Sequence, residues 1–138
     1  MSLNRKRLPP TSDKYFVGID AGSISINCAL INEKKEFVFE YPYQRHLGKI
    51  EQHVDRLIKD LYLKFGEERI ESISFTGNHG KKLSERLGMF YEFETISQVV
   101  GSIFLRPDAE SIISLGGQET ALFQISHHGH GWELEFFN

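Results

Sequence analysis

Cysteine is almost missing from this chain: Cys28 is the only one among 138 residues. A lone thiol forms no internal disulfide and no multi-cysteine metal site, which suits a reducing compartment and gives a cytoplasmic expectation. Long apolar runs are missing too. The longest cover only a few residues, far short of the roughly 20 that cross a bilayer, and the N-terminus has no apolar core of a secretion signal, so no membrane passage is expected. Positive charge is not in excess either. With 16 Lys and Arg against 19 Asp and Glu, the net charge is −3. No global field holds a phosphodiester backbone or anionic lipid, and nucleic acid is a poor candidate partner. What is present is a foldable mixture, 40% hydrophobic and 25% charged, at the length of one domain of about 100–150 residues.

The opening residues 1–14 are basic, contain Pro9-Pro10 and show no period, which predicts a flexible arm; Arg5-Lys6-Arg7 reads as a solvated tail. From Tyr15 the pattern sharpens. Phe16, Val17 and Ile19 form a short apolar run stopped at Asp20, the mark of a buried strand. Ile24, Ile26, Cys28 and Leu30 then alternate with smaller or polar residues as a second strand, and Glu36 to Tyr43 reads as a third. Ile50, Val54, Leu57, Ile58, Leu61 and Phe65 line one face of a helix with Gly66 at its cap position. That stripe reads as core packing. Further on, Ile70 to Phe75 predicts a strand, Lys81 to Leu87 a short helix closed by Gly88, Phe90 to Phe93 a short strand, Ile96 to Leu105 a helix, and Ser111 to Leu115 a strand.

The chain then begins again. Asp20-Ala21-Gly22 followed by a strand ending Leu30-Ile31 is mirrored by Ser114-Leu115-Gly116 and a strand ending Gln124-Ile125. Both continue through a polar turn, Asn32 to Lys35 or Ser126 to Gly131, into a third strand, Glu36 to Tyr43 or Trp132 to Phe137. The expected organisation is one complete α/β half over 15–109 and the first three strands of a second over 110–138.

A strand, a small-residue turn and a returning strand present backbone N–H groups with little side-chain bulk, which is phosphate-binding geometry. Asp20 suits a Mg²⁺ ion, directly or through water, and Ser23 could donate to a phosphate. No Walker loop occurs, because G-x-x-x-x-G-K-[ST] is absent and strand rather than helix follows the turn. A single turn of this kind reads more simply as a tight hairpin with Gly22 chosen for its backbone angles. Two of them, related by an internal repeat, favour a phosphate cleft.

Four segments together carry a resemblance. Gly18-Ile19-Asp20-Ala21-Gly22-Ser23, Thr76-Gly77-Asn78-His79-Gly80, Glu94-Thr95-Ile96 and Ile113-Ser114-Leu115-Gly116-Gly117-Gln118-Glu119 resemble, in order and spacing, the 2-hydroxyacyl-CoA dehydratase activators, the BadF-type ATPases. The similarity runs from Tyr15 to Asn138. It implies a mixed-sheet ribonuclease-H-like (actin-like ATPase) fold of the superfamily that includes sugar kinases and heat-shock chaperones. It also implies ATP or ADP with Mg²⁺ as ligands, and a dehydratase or benzoyl-CoA reductase as partner. In the family a homodimer holds a four-iron four-sulfur cluster at its interface, and ATP hydrolysis drives an electron into the partner enzyme. By this resemblance Asp20, Ala21, Gly22 and Ser23 form the first phosphate loop with Asn27 beyond it, and Gly116, Gly117, Gln118 and Glu119 form the second, with Glu119 in the catalytic role. The family pattern has Lys at Asn27, Asp at Ser114, Asp at Glu119 and Tyr-Gly where Asn78-His79-Gly80 stands. These departures remove a cation and a carboxylate, groups that serve phosphate binding and the orientation of attacking water. No match to the family's Cys-Ala-Ala-Gly run occurs in the chain, and Cys28 is expected as a small buried hydrophobe, so the iron-sulfur cluster is not expected on this stretch. Weak or undetectable nucleotide binding and no robust turnover are expected of these residues alone.

Two alternatives stay open: a degenerate, non-catalytic interaction module on the same scaffold, and a sugar or acyl kinase of the same superfamily. His127, His128 and His130 read as a solvated hairpin tip, and His79 as a strand-end residue able to touch a ligand. Open strand edges after residue 110 invite dimerisation.

Overall fold

The computed structural model describes residues 13–116 and 119–138. The chain forms two compact units, one ending at Tyr91 and the other running from Glu92 to Asn138. In the first, β1 (Tyr15–Ala21) pairs antiparallel with β2 (Ser25–Asn32), and β2 with β3 (Phe37–Glu40) and with the short β4 (Gln44–Arg45). Helix α1 (Ile50–Phe65) and a 3-10 turn lead into β5 (Ile70–Thr76), which lies parallel to β1. A crossover of this length is what parallel pairing requires. Then α2 (Gly80–Leu87) and β6 (Phe90–Tyr91) complete a sheet of order β3-β2-β1-β5-β6, with β4 on β2 beside β3.

Alternation drives this sheet. Tyr15, Val17, Ile19 and Ala21 of β1 are buried, as are Ile26, Cys28 and Leu30 of β2, so each strand gives one face to the core. The predicted helical stripe covers that face: Val54, Leu57, Ile58, Leu61 and Phe65 are all buried in the same cluster as the strand residues. Cys28 lies within it, 3% exposed, and burial pushes its thiol up to about 12. Gly88 closes α2 in the left-handed conformation at φ 67°.

Several element ends differ in detail from the expectation, among them Phe90–Tyr91 for the short strand and Glu94 as the start of the following helix. The predicted strand Glu36 to Tyr43 runs only as β3 over Phe37–Glu40, with the Tyr41 N–H still donating to the Cys28 carbonyl at 2.9 Å, and pairing resumes as β4 at Gln44; Pro42 between them has no N–H for the ladder. The predicted turn Ser126 to Gly131 shrinks to Gly129-His130, because residues through His128 stay paired in a strand. Of the predicted arm, residues 1–12 lie outside the described residues, whereas Asp13 and Lys14 are engaged. The Asp13 carbonyl accepts from Arg69 Nε at 3.0 Å and Lys14 Nζ donates to the Glu68 carbonyl at 3.0 Å.

The second unit holds α3 (Glu94–Leu105) and an antiparallel meander of β7 (Ser111–Leu115), β8 (Thr120–His128) and β9 (Gly131–Phe137). Val99 of the helix packs with Phe123 and Ile125 in a small core. Among the described residues no helix is long and apolar enough to cross a membrane.

Candidate functional site

The parallel strands β1 and β5 end side by side, with Asp20 opposite Thr76 as their last pair, and Asp20 is also opposite Asn27 of β2. Open α/β sheets bind ligands at the carboxyl ends of such strands. Residues 22–25 turn the chain between β1 and β2, and the Gly22 N–H closes the bend by donating to the Ser25 carbonyl at 3.0 Å. Gly22 does not need a left-handed backbone angle, contrary to the simple hairpin reading. Its constraint is space: a Cβ there would sit 3.3 Å from the Ser25 carbonyl oxygen. Since the Gly22 N–H is used internally, the amides left to face a ligand are those of Ser23 and Ile24, which make no hydrogen bond to a described residue.

A second turn locks onto the first. Gly77, at φ 88°, lies so close to the strand end that a Cβ would fall 2.4 Å from Asp20 Oδ1 and 2.7 Å from the Ala21 carbonyl oxygen. The His79 N–H donates to that same Ala21 carbonyl at 2.9 Å. Only glycine fits this approach. Asp20 Oδ1 is buried there, and Thr76 Oγ1 beside it is buried with no hydrogen-bond partner among the described residues. A carboxylate next to an unsatisfied hydroxyl is an oxygen set that fits Mg²⁺, which keeps most of its shell as water and phosphate oxygens.

His46 holds the bend from the core side. It is 4% exposed, its Nδ1 accepts from the Gly48 N–H at 3.1 Å, and its Nε2 lies 3.0 Å from the Gly22 carbonyl. Because Nδ1 accepts, the hydrogen sits on Nε2 and is donated to Gly22. The His79 ring meets it edge to face at 5.6 Å. Sequence reasoning singled out His79 and named Gly77 only as part of the same segment, whereas it passed over His46. The signal for His46 was a histidine ahead of a Gly-Lys helix start, too common a pattern to stand out before the pairing of β4 was known.

In the second unit the corresponding bend lies between Leu115 and Thr120, the last pair of β7 and β8. The Gly116 N–H donates to the Glu119 carbonyl at 2.8 Å. This repeats the closure at Gly22, glycine to the carbonyl three residues on, and the repeat read from sequence falls on it. Glu119 is exposed, and Gly117 and Gln118 lie outside the described residues. Ser114 is opposite Ala121, where the first bend has Asp20 opposite Asn27. His127, His128 and His130 are exposed; His127 Nε2 contacts the Ala109 carbonyl at 2.7 Å and His128 Nε2 lies 3.4 Å from Glu133. Among the described residues no three His, Cys, Asp or Glu side chains are grouped to hold a metal.

No protein-family model matches the chain, and no curated protein does. Solved structures do match. Component A of the (R)-2-hydroxyglutaryl-CoA dehydratase of Acidaminococcus fermentans aligns with TM-score 0.72 and 21% identity over 90% of this chain and 46% of its own. The activator of the 2-hydroxyisocaproyl-CoA dehydratase from Clostridium difficile, solved with bound ADPNP, gives 0.64 and 21% over 90% of this chain and 44% of its own. The Aquifex aeolicus PPX-GPPA enzyme gives 0.57 and 12% over 91% and 52%. The chain spans less than half the length of the first two of these structures. These neighbours share the mixed α/β architecture of this chain, and its fold is the actin-like one that the resemblance implies.

Proposed function

We propose that this chain carries the phosphate-binding loops of an ATP- or ADP-binding activator, which in complete form couples ATP hydrolysis to electron delivery into a 2-hydroxyacyl-CoA dehydratase or benzoyl-CoA reductase. The observation that carries the reading is the recurrence of one closed glycine bend, Gly22 to Ser25 and Gly116 to Glu119, each after a strand end. The ADPNP bound to one structural neighbour supports it. Asp20, Ala21, Gly22 and Ser23 form the first loop, with the Ser23 and Ile24 amides and the Ser23 hydroxyl turned to phosphate oxygens. Asn27 lies alongside. Gly116, Gly117, Gln118 and Glu119 form the second loop, with the Glu119 carboxylate in the catalytic role. Asp20 holds Mg²⁺ directly or through water, and the bound ion supplies positive charge against the phosphates. Residues from 110 onward open the second half of the fold. Isothermal titration of the intact protein with Mg-ADP tests the reading; a saturable heat at millimolar ligand is expected, and its absence overturns it.

One observation favours a second reading, a docking module that kept the scaffold and lost the chemistry. The second bend has Ser114 and Ala121 where the first has Asp20 and Asn27. Ser114→Asp combined with Asn27→Lys separates the two: ATPase activity that rises in the double variant marks decayed catalysis, and no change marks a docking role.

A further inference from the structure

The loop lacks the lysine that the resembled family places at Asn27, yet the strand pairing brings another cation to the same face. In β4, Arg45 is directly opposite Ser25, just as Asn27 is opposite Asp20 across β1 and β2. Directly opposed residues of an antiparallel pair share a face, and so do residues two apart in one strand. Arg45, Ser25, Asn27 and Asp20 therefore project from one side of the sheet, the side away from the core that α1 covers. The Arg45 side chain is exposed and makes no ion pair or hydrogen bond with any described residue, in contrast to Arg69, Arg86 and Arg106, whose guanidinium groups are engaged. Its backbone is held by the pairing of β4 with β2. The next residue is His46, buried and bonded through Nε2 to the Gly22 carbonyl, with its own N–H donating to the Ile24 carbonyl at 3.2 Å. Those two bonds fasten β4 to both ends of the bend, and the left-handed Leu47 (φ 51°) and Gly48 (φ 78°) then turn the chain toward α1.

We infer that Arg45 is the phosphate-binding cation of the first loop, taking a nucleoside di- or triphosphate through its terminal phosphate oxygens, and that His46 is the positioning residue that holds it there. The inference rests on the nucleotide reading above. A guanidinium suits the task because its forked donors match two phosphate oxygens at once and it remains charged at every physiological pH. A cation delivered from β4 instead of from the position of Asn27 also accounts for how an asparagine can stand there without emptying the site of positive charge.

The test is Mg-ADP affinity of the intact protein, by calorimetry, for wild type, Arg45→Ala, Arg45→Lys, the double variant Arg45→Ala with Asn27→Lys, and Arg56→Ala as an exposed control on α1. Arg45→Ala is expected to weaken binding about tenfold, the usual scale for one charge-assisted contact. Arg45→Lys should recover part of it, and Lys at 27 should restore most of it, a rescue that a merely structural arginine would not give. Arg56→Ala should bind like wild type. If wild type binds and Arg45→Ala binds equally well, or if the loss is not rescued by Lys at 27, the assignment of Arg45 is wrong while the nucleotide reading stands. If wild type shows no binding at millimolar Mg-ADP, both are wrong.

Discussion

The two glycine bends are closed by the same hydrogen bond but held by different surroundings. At the first, the Gly22 carbonyl accepts from His46, the Ala21 carbonyl accepts from His79, and Gly77 packs against Asp20. Two segments distant in sequence, one at His46 and one at Gly77 to His79, thus converge on one turn. At the second, the close neighbour of Gly116 is its own turn, with a Cβ there 2.9 Å from the Glu119 carbonyl oxygen. The flanking apolar residues differ as well: Ala21 is fully buried at the first bend, whereas Leu115 is 80% exposed at the second. A hairpin closure is therefore a local product of a glycine and a carbonyl, while a rigid, chemically furnished loop needs partners from elsewhere in the fold. Preorganisation of that kind is what lets a site bind without first ordering itself.

Breaking the interlock should have the largest effect. Gly77→Ala forces a Cβ into Asp20 Oδ1 and the Ala21 carbonyl at a left-handed backbone angle. It is expected to cost about 3 kcal/mol in the first unit, read by amide hydrogen exchange at Val17 and Ile19. Exchange at Phe123 and Ile125 serves as the internal comparison.

Removing the histidine clasp comes next. His46→Phe deletes the donation to Gly22 and leaves that carbonyl and the Gly48 N–H to find water, an expected loss of about 2 kcal/mol in urea unfolding. His46→Gln, which keeps a donor near the Nε2 position, should lose less; equal losses in both would mean that ring packing rather than the Gly22 bond holds the bend. Gly116→Ala meets one backbone oxygen at φ outside the left-handed region, and about 1–2 kcal/mol is expected, confined to exchange at Phe123 and Ile125.

The smallest effect comes from pH. Burial raises the Cys28 thiol from 9.0 to about 12, so the folded state holds its proton more tightly than the unfolded state. The stability tied to this is fully present below pH 9 and is lost as pH rises toward about 12. About 1 kcal/mol should disappear from the first unit by pH 10. Because the second unit has no cysteine, alkylation of Cys28 reports opening of the first unit alone.

Much of the first unit could be read from local pattern. The apolar run through Ile19, the alternation of β2 and the α1 stripe each depend on neighbours within one element, and Gly66 and Gly88 mark helix ends by their own backbone freedom. The repeat of the bends was legible because Asp20-Ala21-Gly22 and Ser114-Leu115-Gly116 sit at equivalent strand ends. What stayed hidden depends on contacts across the chain. Two residues of β4 carry no periodicity, and only their pairing with Ser25 and Ile26 gives Arg45 and His46 meaning. Gly77 stands in the Thr76 to Gly80 segment with no role of its own legible there, because its requirement comes from Asp20, a residue of another strand.

The most direct measurement is the backbone amide spectrum of the intact protein during titration with Mg-ADP. The account predicts saturable shifts led by Ser23 and Ile24, the bend amides without a partner among the described residues, with Gly22 following through its closing bond. Saturable binding that leaves Ser23 and Ile24 unmoved, with shifts confined to the histidine-rich hairpin at 127–130, would contradict it.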